Sequence, residues 1–296
     1  MTDNDLEKVE FEAYDNFYHS YFCSLLSFDD DGCLLDTGVG SGVLVTYRGN
    51  FFIATAGHVL NGIRADRTII SIGQSIQFKP HEPGGRACLL NGDFSKLATL
   101  DKLTSGMLFV DDGRKDVGLC RIADPQRFKV AGKQFFDLYD SSTQDSIEEG
   151  LQVEVWGVCG EVFAENYAQG VSNQATRILT KVKGADGRCS ARVFLDYRSL
   201  NPNEGHLKHG KIVFESVRAD ESRHPGGMSG GPVWKRPQET PHQDGALRIF
   251  APPVLIGIQT AYLKDTHLVM NTISAWKDLA DQYLVSSESV DEQKTT

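Results

Sequence analysis

From Phe17 to Met270 the apolar residues of this chain come in short runs, each closed by glycine, proline or a cluster of acids, and only one stretch near the end carries a helical period. In the first half the runs are Phe17–Phe28, Val43–Tyr47, Phe51–Ala56, Thr68–Ile72, Ser75–Phe78, Ala87–Leu90, Met107–Val110 and Val117–Ile122. In the second they are Leu151–Val158, Thr176–Val182, Ala191–Tyr197, Lys211–Val217, Leu247–Phe250, Val254–Ala261 and His267–Met270. Runs of this length bounded by turn residues read as strands, and a long series of them indicates an all-β sandwich or barrel. Asp29-Asp30-Asp31-Gly32 is a turn, and Arg48-Gly49-Asn50 joins two runs as a hairpin. The mixed polar stretch from Pro125 to Ile147 joins two halves. Ile273, Trp276, Leu279, Ala280, Tyr283 and Leu284 sit at helical spacing, with Asn271 or Thr272 to cap them.

The second half holds Pro225-Gly226-Gly227-Met228-Ser229-Gly230-Gly231-Pro232, one serine among four glycines. A serine hydroxyl is a poor nucleophile until a base takes its proton and nearby donors stabilise the oxyanion. Glycines let a loop turn backbone N–H groups toward one point, and Gly227 and Ser229 have the spacing of an oxyanion-hole pair. The same letters contain Gly-x-Ser-x-Gly, the elbow of the α/β-hydrolases, but that motif needs a helix directly after the serine and an acid and a histidine downstream. Here Gly230, Gly231 and Pro232 follow, so the partners are sought upstream. His58 follows the run Phe51–Ala56 at a small-residue turn. Asp116 heads the run Val117–Ile122, where its side chain can point into a cleft while the strand stays buried.

Thr55-Ala56-Gly57-His58, Asp116-Val117-Gly118-Leu119 and Gly227-Met228-Ser229-Gly230-Gly231-Pro232 resemble, in order, the three signatures of trypsin/chymotrypsin-like serine peptidases. The hairpin opened by Gly40-Ser41-Gly42-Val43 is similar to that of bacterial members related to the high-temperature-requirement proteases, although too few residues follow Ser229 for their PDZ domain. The resemblance implies two perpendicular six-stranded Greek-key β-barrels with a C-terminal helix. It divides the chain into a polar lead-in (1–12), a peptidase domain (13–285) and a disordered tail (286–296). Within the domain, barrel one is about 13–135, barrel two about 148–271 and the helix about 272–285. It implies His58 as general base, Asp116 as its orienting acid, Ser229 as nucleophile, and the N–H groups of Gly227 and Ser229 as the oxyanion hole. Val254–Ala261 resembles the strand that pairs with substrate, giving Gln259, Thr260 and Ala261 as substrate-binding residues. Arg223 stands six before the serine, where trypsin-like members keep an aspartate for basic side chains. Met228 stands where the activation ion pair of secreted relatives needs an acid, so an apolar niche is expected for it.

The expected function is therefore a serine endopeptidase acting on polypeptide substrates, with no metal or cofactor. The alternative is a catalytically silent pseudopeptidase that binds peptide without cutting. A regulatory protein partner is allowed for. The net charge of −10 argues against nucleic acid, and no run is long enough to span a membrane. The N-terminus shows no signal peptide, and the six cysteines match no secreted framework, which together imply a cytoplasmic protein with reduced thiols. His206 and His209 lack further ligands nearby and read as a solvated loop pair.

Overall fold

The computed structural model describes residues 13, 14, 16–61, 63–72, 76–79, 86–90, 94–110, 115–139, 147–158, 176–185, 192–196, 226–235, 252–263 and 267–293. The lead-in 1–12, Arg223 and the runs Lys211–Val217 and Leu247–Phe250 lie outside them. The first half contains β1 (Phe22–Phe28), β2 (Leu34–Tyr47), β3 (Asn50–Ala56), β4 (Thr68–Ser71), β5 (Thr104–Val110), β6 (Val117–Ile122) and β7 (Phe136–Asp137). Its sheet runs β4-β1-β2-β3-β6-β5, with β7 added parallel to β2. Strand four lying beside strand one of a three-strand meander is the Greek-key order. A single bridge from Ile69 to Thr99 brings the β4 edge back toward the segment entering β5 and curls the sheet.

The second half contains β8 (Gln152–Gly157), β9 (Thr176–Ala185), β10 (Arg192–Asp196), β11 (Pro232–Lys235), β12 (Val254–Leu263) and β13 (His267–Thr272), followed by a C-terminal helix (Ser274–Gln293). These six strands close as β10-β13-β12-β11-β8-β9. Read from β1 and from β8, the two halves follow one cyclic order, so the chain repeats a topology. The double-barrel architecture with its closing helix is the expected one.

Local chemistry sets the details. Arg48 and Gly49 both have positive φ (48° and 74°), the pair of left-handed residues a tight two-residue hairpin needs between β2 and β3. Alternate residues of β2 and β3 face different cores. Leu44 and Ile53 point into barrel one with Leu25 and Phe128, while Val43, Val45, Phe52 and Ala54 join a larger core with Trp156, Trp234 and Trp276.

Four expectations are corrected. Residues 16–21 are helical rather than the start of a strand. Phe17, Tyr18 and Tyr21 lie on one side of that turn and pack on Trp234, with Tyr18 also 4.7 Å from Trp156. Within the joining stretch, Asp124 caps a helix (Pro125–Val130) by accepting from the N–H groups of Gln126 and Arg127, and the proline sits where no donor is needed. The C-terminal helix runs on to Gln293, eight residues past its expected end, because a docked first half propagates helix cheaply into the polar residues after it.

The fourth correction concerns the thiols. Cys33 and Cys88 form a disulfide. They face each other across an isolated antiparallel bridge, framed by Leu34 N–H donating to Ala87 and Leu89 N–H to Gly32, so two residues far apart in sequence become cross-strand neighbours. Cys23 and Cys120 are free and fully buried. Burial pushes the Cys23 thiol up to about 12 and raises that of Cys120 as well, so neither supplies a thiolate nucleophile.

Candidate active site

In the antiparallel pair β3–β6, Thr55 lies opposite Gly118 and Ala56 opposite Val117. The chain leaving β3 and the chain entering β6 therefore meet at one end of the sheet. After β3 a single helical turn (Gly57–Leu60) carries His58, and Asp116 stands just before β6. The Gly57 N–H donates to the Asp116 carbonyl at 3.0 Å. The His58 N–H donates to Asp116 Oδ1 at 2.8 Å, and His58 Nδ1 lies 2.8 Å from Oδ2. Both carboxylate oxygens are thus spent on one residue. Asp116 reaches this position with φ +53°, a left-handed conformation that aspartate tolerates better than most side chains. An ionised carboxylate only accepts, so the geometry assigns the proton to Nδ1 and leaves the lone pair on Nε2. The imidazole is half exposed. Gly118 makes room for the turn: a Cβ there would lie 2.8 Å from Leu60 Cδ1 and 3.3 Å from Gly57 Cα.

Ser229 sits in a tight turn closed by Gly231 N–H donating to the Met228 carbonyl at 2.9 Å. Gly230, the second central residue, has φ +89°, which a side chain would strain. Met228 is buried in the apolar niche expected for it, among Val153, Val155, Val233, Ile256 and Leu268. The niche is reached because Gly157 has no side chain; a Cβ at Gly157 would lie 2.8 Å from Met228 Cα. On its other side the turn is stitched to β12, with Gly230 N–H donating to Gln259 O at 2.7 Å and Gln259 N–H to Gly231 O at 2.8 Å. Among the described residues no backbone carbonyl takes the N–H of Gly227 or of Ser229.

The turn belongs to barrel two and the His58–Asp116 pair to barrel one; Ser41 of β2 joins them. Its N–H donates to Ser229 O at 2.9 Å, and its Oγ donates to Gly227 O at 2.9 Å. The same Oγ accepts from Val158 N–H at 2.9 Å, and its carbonyl accepts from Thr55 Oγ1 at 2.6 Å. Gly230 fits so closely against this strand that a Cβ would lie 1.9 Å from Ser41 O and 2.0 Å from Thr55 Oγ1. Because Thr55 is three residues before His58, the serine turn and the histidine turn share one seam.

Of the residues expected to bind substrate, Gln259 and Thr260 are buried and Ala261 is half-buried. β11 pairs with β12 only as far as Pro232 opposite Ile258, and Gln259 is taken up by the serine turn. From Thr260 onward this edge of β12 has no partner strand among the described residues, while the opposite edge pairs with β13 as far as Leu263 opposite His267. The Gln259 side-chain amide donates to Ala261 O at 3.0 Å. Among the described residues no group of three or more His, Cys, Asp or Glu side chains gathers to hold a metal; His206 and His209 lie outside them.

Three supporting residues carried no functional signal, or only a weak one, in the sequence. Ser41 stood between two glycines in a strand, which marks close backbone approach but not what approaches. Asn271, read as a helix cap, instead donates its amide to the Lys115 carbonyl, next to Asp116. Trp276, read as core, donates its indole N–H to carbonyls on β3 and β6.

No family model matches this chain, and no curated protein matches it. Among solved structures it is similar to the crystal structure of the scabies mite inactivated protease paralogue S-I1, at 11% sequence identity and a TM-score of 0.50, over 92% of this chain and 97% of that one. Identity this low carries the fold and not the chemistry. The fold is chymotrypsin-like, in agreement with the two barrels.

Proposed function

We propose that this chain uses its chymotrypsin-like fold as a serine endopeptidase. The observation that carries the reading is the pairing of His58 with both carboxylate oxygens of Asp116, which leaves Nε2 as the basic nitrogen at the seam that also holds the Ser229 turn. In the proposed reaction Ser229 Oγ attacks the scissile carbonyl and passes its proton to His58 Nε2. The N–H groups of Gly227 and Ser229 receive the oxyanion. Collapse expels the amine, protonated by His58, and water then hydrolyses the acyl-enzyme by the same steps. Substrate is proposed to add as a strand along β12 from Thr260 onward, beyond the point where β11 stops pairing with it. Arg223, beyond the described residues, is proposed to disfavour basic side chains before the cut. The similarity to bacterial members rests on the hairpin opened by Gly40-Ser41-Gly42-Val43 and on Val254–Ala261; the structural likeness supports the fold and not that subtype.

The second reading is the silent peptide binder. It is the kind of protein the structural neighbour is described as, an inactivated paralogue, though at that identity the likeness bears on fold alone; what opposes it is that His58, Asp116 and Ser229 are all present here. A rhodamine fluorophosphonate separates the two. Ser229 Oγ displaces fluoride from phosphorus and the proton leaves through His58. Labelling of the wild type at Ser229, abolished in Ser229→Ala and His58→Ala, is the expected result. A folded wild type that stays unlabelled and leaves casein intact overturns the peptidase reading in favour of the binder.

A further inference from the structure

We infer that Ser41 is a positioning residue for the oxyanion loop: its hydroxyl fixes the orientation of the Gly227–Met228 peptide while its backbone fixes Ser229. The inference rests on the peptidase reading and adds a residue to it from outside the three motifs.

A serine hydroxyl has one proton to give and can accept in return, and here both capacities are spent on neighbours of the nucleophile. The proton goes to Gly227 O, and the lone pair receives Val158 N–H from the end of β8. Ser41 is completely buried, so water does not compete for either bond. Among the described residues nothing else donates to the Gly227 carbonyl. That matters because Gly227 has φ +93° and no side chain, so its own sterics restrain it little. The Gly227–Met228 peptide links the two oxyanion N–H groups, and its rotation would change how Gly227 N–H is placed relative to Ser229 N–H. The rest of the turn is held independently, by Met228 in its niche and by the two bonds to Gln259. The hydroxyl of Ser41 therefore restrains the peptide that links the two oxyanion N–H groups, and it comes from the other barrel. Thr55 Oγ1 holds the carbonyl of Ser41 in turn, which ties the restraint to the strand that leads to His58.

The test compares wild type, Ser41→Ala, Ser41→Thr and Ser41→Cys, with labelled casein as substrate and the rate constant of fluorophosphonate labelling at Ser229 as the second readout. Removing an oxyanion donor outright costs on the order of 10²–10³-fold in kcat; a donor left in place but no longer aimed is expected to cost on the order of 10–10²-fold. Ser41→Ala should lower kcat and the labelling rate constant in parallel, with KM nearly unchanged, because the β12 edge is untouched. Ser41→Thr, which keeps the hydroxyl, should restore both. A merely structural role would lower the fraction of molecules that label and leave the rate constant of the remainder unaltered; that result overturns the inference. If Ser41→Ala does not fold, Ser41→Cys, close in size but a weak donor, should show the same parallel loss at smaller amplitude, and an unaltered rate constant in folded Ser41→Cys overturns the inference equally. Normal labelling of the wild type together with an unaffected Ser41→Ala removes the Ser41 role alone. Failure of the wild type to label removes the peptidase reading and this inference with it.

Discussion

Trp276 donates its indole N–H to the carbonyl of Thr55 at 3.0 Å, three residues before His58. The same N–H lies 3.2 Å from the carbonyl of Gly118, two residues after Asp116 and directly opposite Thr55 in the β3–β6 pair. One side chain of the C-terminal helix thus bridges the two strands from which the candidate base and its orienting acid emerge. Asn271 adds a second tie, from its side-chain amide to the carbonyl of Lys115. The geometry of a pair that lies wholly in barrel one is set partly by the last strand of barrel two and the helix that follows it.

Trp276→Phe keeps an aromatic ring in the core but removes the indole N–H that the carbonyls of Thr55 and Gly118 share. Losing a buried hydrogen bond of this kind costs about 0.5–1.5 kcal/mol. Urea unfolding should show a loss of that size, and casein turnover should fall with it because the His58 turn loses its brace. Unchanged stability would mean that the indole N–H contributes nothing there.

Asp116→Asn keeps the shape and tolerates the left-handed backbone, but its amide can present N–H where an oxygen accepted before. The imidazole then has no fixed acceptor for its Nδ1 proton and loses the tautomer that leaves Nε2 basic. Turnover should drop on the order of 10⁴-fold while the melting temperature moves little. Steady-state cleavage alongside thermal unfolding checks both halves of the statement.

Gly157→Ala introduces a Cβ 2.8 Å from Met228 Cα, a backbone atom that yields only if the serine turn shifts. Activity should fall by at least tenfold, since displacements of about 1 Å at a reacting group cost rates of that order or more. Gly230→Ala is harsher, adding strain at φ +89° to contacts with Ser41 and Thr55, and should yield little folded protein. Wild-type labelling rates in purified Gly157→Ala would contradict the packing argument.

The disulfide closes a loop across a sequence separation of 55. In the chain-entropy picture a loop of that length is worth about 4 kcal/mol of stability. Protein purified without reductant should melt higher than the same protein treated with dithiothreitol, and Cys33→Ser should abolish the difference. Alkylation under denaturing, non-reducing conditions should leave Cys33 and Cys88 unmodified and label Cys23 and Cys120.

Much of the site was legible in the sequence because it depends on local chemistry. Thr55-Ala56-Gly57-His58 and Asp116-Val117-Gly118-Leu119 carry their own signals: small residues where backbones approach, then a strand whose limits, Val117 to Ile122, match those read from the runs. The glycines around Ser229 announce a turn for the same reason. What was not legible depends on contacts between distant segments. Phe17, Tyr18 and Tyr21 suit a strand as well as a helical turn, and only Trp156 and Trp234 decide between them. Spacing alone cannot pair Cys33 with Cys88, since the bridge that aligns them is a product of the fold. The helix after Asp124 is a different case, because an aspartate before a proline is a local start signal, here set in a polar stretch with little apolar period to mark a helix.

The two ends of the described chain are crossed. Residues 16–21 lead into barrel one yet rest on Trp156 and Trp234 of barrel two, and Trp276 follows barrel two yet rests on barrel one. During synthesis barrel one can form its sheet early, but the tryptophan that braces the strands bearing His58 and Asp116 emerges only after barrel two. A nascent chain therefore carries an unbraced histidine and aspartate, with no serine turn beside them, until the second barrel has been made. On the proposed reading that ordering acts as a timer, withholding hydrolytic competence until both barrels have left the ribosome.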